Sequence, residues 1–192
     1  MLTICVYCAS STQINPLYFE ATERLGKILA KAGHAVVFGG GSTGLMGQLA
    51  DSILATSGKI TGVIPQFMID EDWHHTNLTE LIVTQTMHER KEKMASVADA
   101  AIALPGGCGT LEELLEVITW KQLGIFTKPI IIVNMGGYYD ALIEMLHRAV
   151  EEKFMRNIHK NMWEVVKTPE EVLNAIANAA NWDENARSLA AI

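Results

Sequence analysis

The chain has 192 residues with 15 Lys+Arg against 22 Asp+Glu, a formal charge of −7, and 49% of it is apolar while only 19% is charged. That composition fills one sizeable core and excludes a disordered chain or a small disulfide-stapled fold. The acidic balance argues against a long nucleic-acid groove, which draws on many Lys/Arg–phosphate contacts, and no apolar run approaches the ~20 residues of a membrane-spanning helix.

In chain order, the first strand is expected over 3–7, followed by a helix that starts at Asn15-Pro16, where Pro suits the first helical position, and stops at Gly33. A strand over 36–38, a helix over 45–57 closed by Gly58, and a strand over 60–64 closed by Pro65 come next. Residues 66–79 are polar and irregular and read as a loop over a site or an edge. A strand over 81–83, a helix over 87–98, a strand over 100–104, a helix over 111–123 and the wholly apolar strand 130–133 follow. Helices over 139–152 and 170–180 flank a short strand at Val165-Val166. This alternation predicts an α/β fold: a Rossmann-like open parallel sheet with helices on both faces, a single domain over 1–180 and a C-terminal tail over 181–192. Ligands then belong at the carboxyl ends of the strands.

Cys5 and Cys8 form a CxxC spacing within the strand-like run Leu2 to Cys8, with no second pair to complete a zinc site. Together with Cys108 they make an odd number, which fits buried thiols in a cytoplasmic protein better than a secreted disulfide framework. The start of the chain has no basic stretch ahead of an apolar one, in keeping with the same location. Asp70-Glu71-Asp72-Trp73-His74-His75 has adjacent histidines rather than an i, i+4 pair, so it reads as a polar loop and no metal site is expected.

Two glycine turns carry the chemistry. The first, Gly39-Gly40-Gly41-Ser42-Thr43-Gly44, satisfies GxGxxG after a strand and before a helix. A dinucleotide fold also wants an acid about 20 residues on, and 58–64 contain none, which weighs against NAD or NADP. The second turn, Pro105-Gly106-Gly107-Cys108-Gly109-Thr110, again leads from strand to helix. Exposed N–H groups and the positive end of the helix dipole there favour one phosphate, and the missing Gly-Lys-Ser/Thr ending disfavours a nucleoside triphosphate. Thr110-x-x-Glu113 also fits a capping box, so Glu113 has a structural use beside a chemical one. Arg90 and Lys91, at the start of a helix, fit a solvated face as well as a site.

Pro105-Gly106-Gly107-Cys108-Gly109-Thr110-Leu111-Glu112-Glu113 resembles the PGGxGTxxE signature of the LOG (Lonely Guy) family, and Met87-His88-Glu89-Arg90-Lys91 resembles its companion motif. The likeness extends to 39–47, 119–129 and Gly137-Tyr138-Tyr139-Asp140, and spans roughly residues 1–180. It implies a homodimeric phosphoribohydrolase that cleaves nucleoside 5′-monophosphates, cytokinin nucleotides and AMP among them, to free base and ribose 5-phosphate, without cofactor or metal. It implies Arg90 and Glu113 as the catalytic pair. It also implies that Arg90, Lys91, Gly106, Gly107, Cys108, Gly109, Thr110, Leu111 and Glu112 bind the nucleotide. The first glycine turn, with Gly40, Gly41 and Gly44, joins that surface, as does Asp72, which stands where Glu is usual. A carboxylate beside an anomeric carbon stabilises the positive charge that develops when a ribosyl C–N bond breaks, and activates water. Arg90 is left with two roles, phosphate ligand or orienter of Glu113. Two rivals stay open: a non-catalytic nucleotide carrier using the same turn, and pyridoxal-phosphate lysine decarboxylation, which needs a Schiff-base lysine.

Overall fold

Successive side chains of a strand point to opposite faces, and the first strand, β1 (Thr3–Tyr7), is buried on both. Ile4 and Val6 pack into one apolar cluster and Cys5 and Tyr7 into another. The computed structural model describes residues 1–182 and 184–186. In them β2 (Ala35–Phe38), β3 (Lys59–Pro65), β4 (Glu80–Thr84), β5 (Ala100–Ala103), β6 (Ile130–Val133) and β7 (Glu164–Val166) join β1 in one parallel sheet, in the order β4-β3-β2-β1-β5-β6-β7. Burial on both sides explains why β5 and β6 are apolar without alternation.

The helices are α1 (Pro16–Lys31), α2 (Gly44–Ala55), α3 (Gln66–Asp70), α4 (Met87–Ser96), α5 (Cys108–Gln122), α6 (Asp140–Glu151) and α7 (Val172–Asn178). Apolar residues of α1, α2 and α7 cover one face of the sheet, and those of α4, α5 and α6 cover the other. Asn15 caps α1, its side-chain oxygen accepting from the Leu17 amide at 2.9 Å, with Pro16 at the first helical position. The chain runs outward from β1 to β4 and then returns to place β5 on the other side of β1. The order therefore reverses between β1 and β5, the place where open α/β sheets leave a crevice beyond their carboxyl ends.

Four local expectations are corrected. Residues 66–79 are not simply a loop, because α3 opens the segment and Gly41 bridges His74. Helix α5 begins at Cys108, three residues before the expected start at Leu111. The last helix is shorter than expected, Val172–Asn178 after a 3₁₀ turn at Pro169–Glu171. Cys108 is exposed, while Cys5 and Cys8 are buried as expected. Of the expected tail, residues 183 and 187–192 lie outside the described residues; the Trp182 indole donates to the Lys121 carbonyl at 2.6 Å.

Candidate active site

A cavity of about 390 Å³ opens at the reversal point between β1 and β5. The loop after β1 and the turn before α5 both line it, together with Arg90 of α4 and Glu113 of α5.

Two glycines of the α5 turn open directly onto the cavity. Gly107 precedes the helix and no side chain caps it, so the first amides of α5, those of Cys108, Gly109 and Thr110, have no intrahelical acceptor. A Cβ added at Gly107 or Gly109 would meet no atom within 4 Å. At Gly106 the same atom would overlap the Thr110 side chain, so the absent side chain there permits close packing of turn on helix. Thr110 lies inside α5 and Glu113 reaches sideways to Arg90, so the Thr110-x-x-Glu113 pattern is not a capping box here.

Glu113 is 9% exposed and Arg90 8%. The Arg90 guanidinium donates from Nη1 to Glu113 Oε1 at 3.0 Å, from Nε to the Val63 carbonyl at 3.0 Å and from Nη2 to the Gly39 carbonyl at 3.3 Å. Three anchors on three elements fix the guanidinium plane, and with it the carboxylate. Burial pushes the Glu113 carboxyl above the usual carboxylate range, and the Arg90 charge opposes this without cancelling it.

The remaining predicted residues divide. Gly107, Cys108, Gly109 and Thr110 line the cavity with Arg90 and Glu113. Lys91 does not: its Nζ is tied to Glu112 at 2.9 Å and Glu116 at 3.2 Å, joining α4 to α5. Glu112 is occupied in that pair, and Leu111 packs against the core. Asp72 is exposed, with φ 57°, next to Trp73, and is not among the lining residues of this cavity or of the one that Trp73 lines.

The first glycine turn holds protein instead of offering an open helix end. The amides of Leu45 and Met46 both donate to the Ala9 carbonyl, at 2.9 and 3.2 Å, and Thr43 Oγ1 donates to the Ser10 carbonyl. Gly44 has φ +61°, and a Cβ there would overlap the Ser10 backbone, so only glycine lets the two loops meet. Gly40 accepts from the His75 amide at 2.8 Å, and the Ser42 amide donates to the Trp73 carbonyl at 2.9 Å. The His75 ring completes the seam. Its Nδ1 accepts from the Asn77 amide, which leaves Nε2–H to donate to Asp51 Oδ1 at 3.0 Å. Gly41 lines a second cavity of about 420 Å³ with Ile64 and Trp73, and Ser10, Gly39, Met46, Met68 and Arg90 are shared with the first.

Cys8, Ser10, Ser11, Met46, Met68 and Trp73 also line these cavities, though none belongs to the site residues expected from the sequence. The signal for the first three was available, since they follow the carboxyl end of a strand. The other three lie on elements whose closure over the site depends on long-range bonds.

Fold and site together define a class: a Rossmann-like α/β protein with an uncapped helix terminus facing a cavity and a buried Arg–Glu pair beside it. Residues 46–176 match the family described as possible lysine decarboxylase. The chain is 42% identical to a probable cytokinin riboside 5′-monophosphate phosphoribohydrolase of Oryza sativa subsp. japonica, over 93% of its own length and 77% of that relative. It is 41% identical to a cytokinin riboside 5′-monophosphate phosphoribohydrolase of Arabidopsis thaliana, over 94% and 88%. The chain belongs to this family, the LOG family. Among solved structures, the molybdenum cofactor carrier protein of Chlamydomonas reinhardtii matches with a TM-score of 0.71 at 18% identity, covering 93% of this chain and 97% of that one. The molybdenum cofactor binding protein of Rippkaea orientalis gives 0.68 at 19%, covering 92% and 95%. At these identities the likeness is one of fold.

Proposed function

We propose that the chain hydrolyses the N-glycosidic bond of nucleoside 5′-monophosphates to free base and ribose 5-phosphate. The observation that carries this is one helix supplying both ends of the site. The open amides of Cys108, Gly109 and Thr110 receive the phosphate, and Glu113, one turn further (about 5 Å along the axis), faces the same cavity. A phosphate held there anchors the ribose so that C1′ meets the carboxylate. Glu113 accepts a proton from water as its oxygen bonds to C1′. The C1′–N bond breaks with its electron pair going to the base, which takes up a proton. Arg90, held by Val63 and Gly39, orients Glu113 and opposes the upward push that burial gives its carboxyl. The apolar cavity of Met46, Ile64, Met68 and Trp73 takes the base, adenine or an N6-substituted adenine.

Incubation with AMP and with N6-isopentenyladenosine 5′-monophosphate should release free base and ribose 5-phosphate, and Glu113→Gln should remove at least ~100-fold of the rate, the lower range for a general base. Ligand retention without turnover, equal in the variant, would replace this reading with that of a carrier. The lysines nearest the site do not favour amine chemistry: among the described residues none lines either cavity, and Lys91 is committed to two carboxylates.

A cytoplasmic homodimer accompanies this proposal. Val97, Leu115, Leu123 and Ile125 are exposed apolar side chains on and beyond α4 and α5, and covering them in a second copy accounts for the low charged fraction. Sedimentation should give twice the chain mass; a stable monomer at micromolar concentration would reject the dimer and leave the hydrolysis standing.

A further inference from the structure

Between β6 and α6 the chain turns through Gly136 and Gly137, both with positive φ, and delivers two adjacent tyrosines to the turn before α5. Tyr138 Oη donates to the Gly106 carbonyl at 2.7 Å and Tyr139 Oη to the Leu104 carbonyl at 2.6 Å. Their rings are braced edge to face, Tyr139 against Tyr138 with centroids 4.9 Å apart and Tyr138 against Tyr18 of α1 at 5.8 Å. Asn134 accepts from the Tyr139 amide and donates to Asp140, both at 2.7 Å, which fixes the turn that carries the pair.

The two hydroxyls grip peptides of different character. A trans peptide places its C=O and N–H on opposite sides of one plane. A hydroxyl that holds the Gly106 carbonyl therefore leaves the Gly107 N–H on the side of the peptide away from Tyr138, and Gly107 lines the cavity whereas Tyr138 does not. With glycine on both sides, this is the peptide with the least steric resistance to flipping. The Leu104 carbonyl belongs to a peptide whose nitrogen is that of Pro105, which has no proton to offer a ligand.

We propose that Tyr138 is a positioning residue that locks the Gly106–Gly107 peptide with its N–H facing the phosphate, whereas Tyr139 anchors the same turn without presenting a donor. The proposal rests on phosphate binding at the α5 terminus. Tyr138 touches no substrate; it acts through one backbone group whose direction decides whether an anion meets a donor or a carbonyl.

The test follows the Gly107 amide by 15N–1H NMR during titration with ribose 5-phosphate, in the wild type, Tyr138→Phe and Tyr139→Phe, with steady-state kinetics on AMP in parallel. In the wild type, ligand should shift the Gly107 resonance downfield. Tyr138→Phe should weaken ribose 5-phosphate binding and raise KM by about three- to tenfold, the worth of one hydrogen bond. It should leave kcat within about twofold and Tm close to wild type, the pattern of lost ground-state binding alone. Tyr139→Phe should lower Tm and leave the affinity unchanged. Equal affinity and an equal Gly107 shift in Tyr138→Phe would overturn the lock while the phosphate site stands. A Gly107 resonance that ligand does not move in the wild type would overturn both. A loss of affinity in Tyr139→Phe equal to that in Tyr138→Phe would also overturn it, showing general support of the turn.

Discussion

At Glu113, burial and the Arg90 charge act in opposite directions, and burial prevails. Because the folded-state carboxyl titrates above its unfolded value, the folded protein holds the extra proton between the two, and stability falls as pH rises through that window. In the proposed hydrolysis the same group must be ionised to accept a proton from water. The acid limb of kcat/KM should therefore lie above the ordinary glutamate range, and a 13C titration of the carboxyl in Arg90→Met should move higher still, since the opposing charge is gone. A titration at or below the ordinary range in that variant would show that burial is not the controlling influence. Identity and partner were legible to different degrees. The signature placed Glu113 and Arg90 together in a site, but their spacing of 23 residues carries no geometry, and only the folded chain shows the guanidinium spending its donors on Glu113 and two carbonyls.

Helix α5 shows why local patterns misled at one end and succeeded at the other. Cys108 and Gly109 are poor helix formers, and Thr110-x-x-Glu113 imitates a start signal, so the sequence favours a beginning at Leu111. Packing of Thr110 against Gly106 overrides that preference and extends the helix backward, which carries its open amides to the cavity. The glycines of this turn should separate under substitution. Gly109→Ala should keep or raise stability, by about 0.5–1 kcal/mol for a helical glycine, while its methyl group intrudes on ligand space and lowers kcat/KM by roughly tenfold or more. Gly106→Ala should lower stability by about 1–3 kcal/mol through overpacking on Thr110. Denaturant midpoints and kinetics on the pair check both, and a Gly109→Ala enzyme with unchanged kcat/KM would remove the ligand from that space. By contrast α3 is five residues long, too short for a periodic signal, and the segment behind it is shaped by bonds to Gly40 and Ser42 that no local window contains.

Across the whole molecule, the alternation of apolar runs and helical periods was enough to give a parallel sheet and to put both glycine turns at one edge, because right-handed crossovers leave few other arrangements. The closure of the chain's end was not legible. Lys121 is buried in α5, its Nζ donating to the Lys128 carbonyl at 2.7 Å while its own carbonyl accepts from Trp182. Burial pushes its ammonium down to about 8. Here the unfolded chain binds more protons between about 8 and the ordinary lysine value of 10.5, so stability rises with pH across that interval. The denaturant midpoint of the wild type should gain on that of Lys121→Met from pH 7.5 to pH 10, the difference isolating this amine from every other group whose protonation changes on unfolding. Parallel midpoints would mean that Lys121 stays charged where it lies.

The Ala9 carbonyl, seated on the amides of Leu45 and Met46, makes the chain its own competitor at the helix end that the first glycine turn opens. An anion approaching α2 faces a rival tethered in place, present at an effective concentration no free solute matches. To displace it would break two hydrogen bonds worth about 1 kcal/mol each. Under the proposed hydrolysis the nucleotide's phosphate goes to the α5 terminus, whereas a ligand that needs the first amides of α2 for its phosphates, as a dinucleotide at the first glycine turn would, meets a seat already taken. Exclusion of such a ligand would then rest on the backbone of the β1–α1 loop, whose Ala9 carbonyl is already bonded to the α2 terminus.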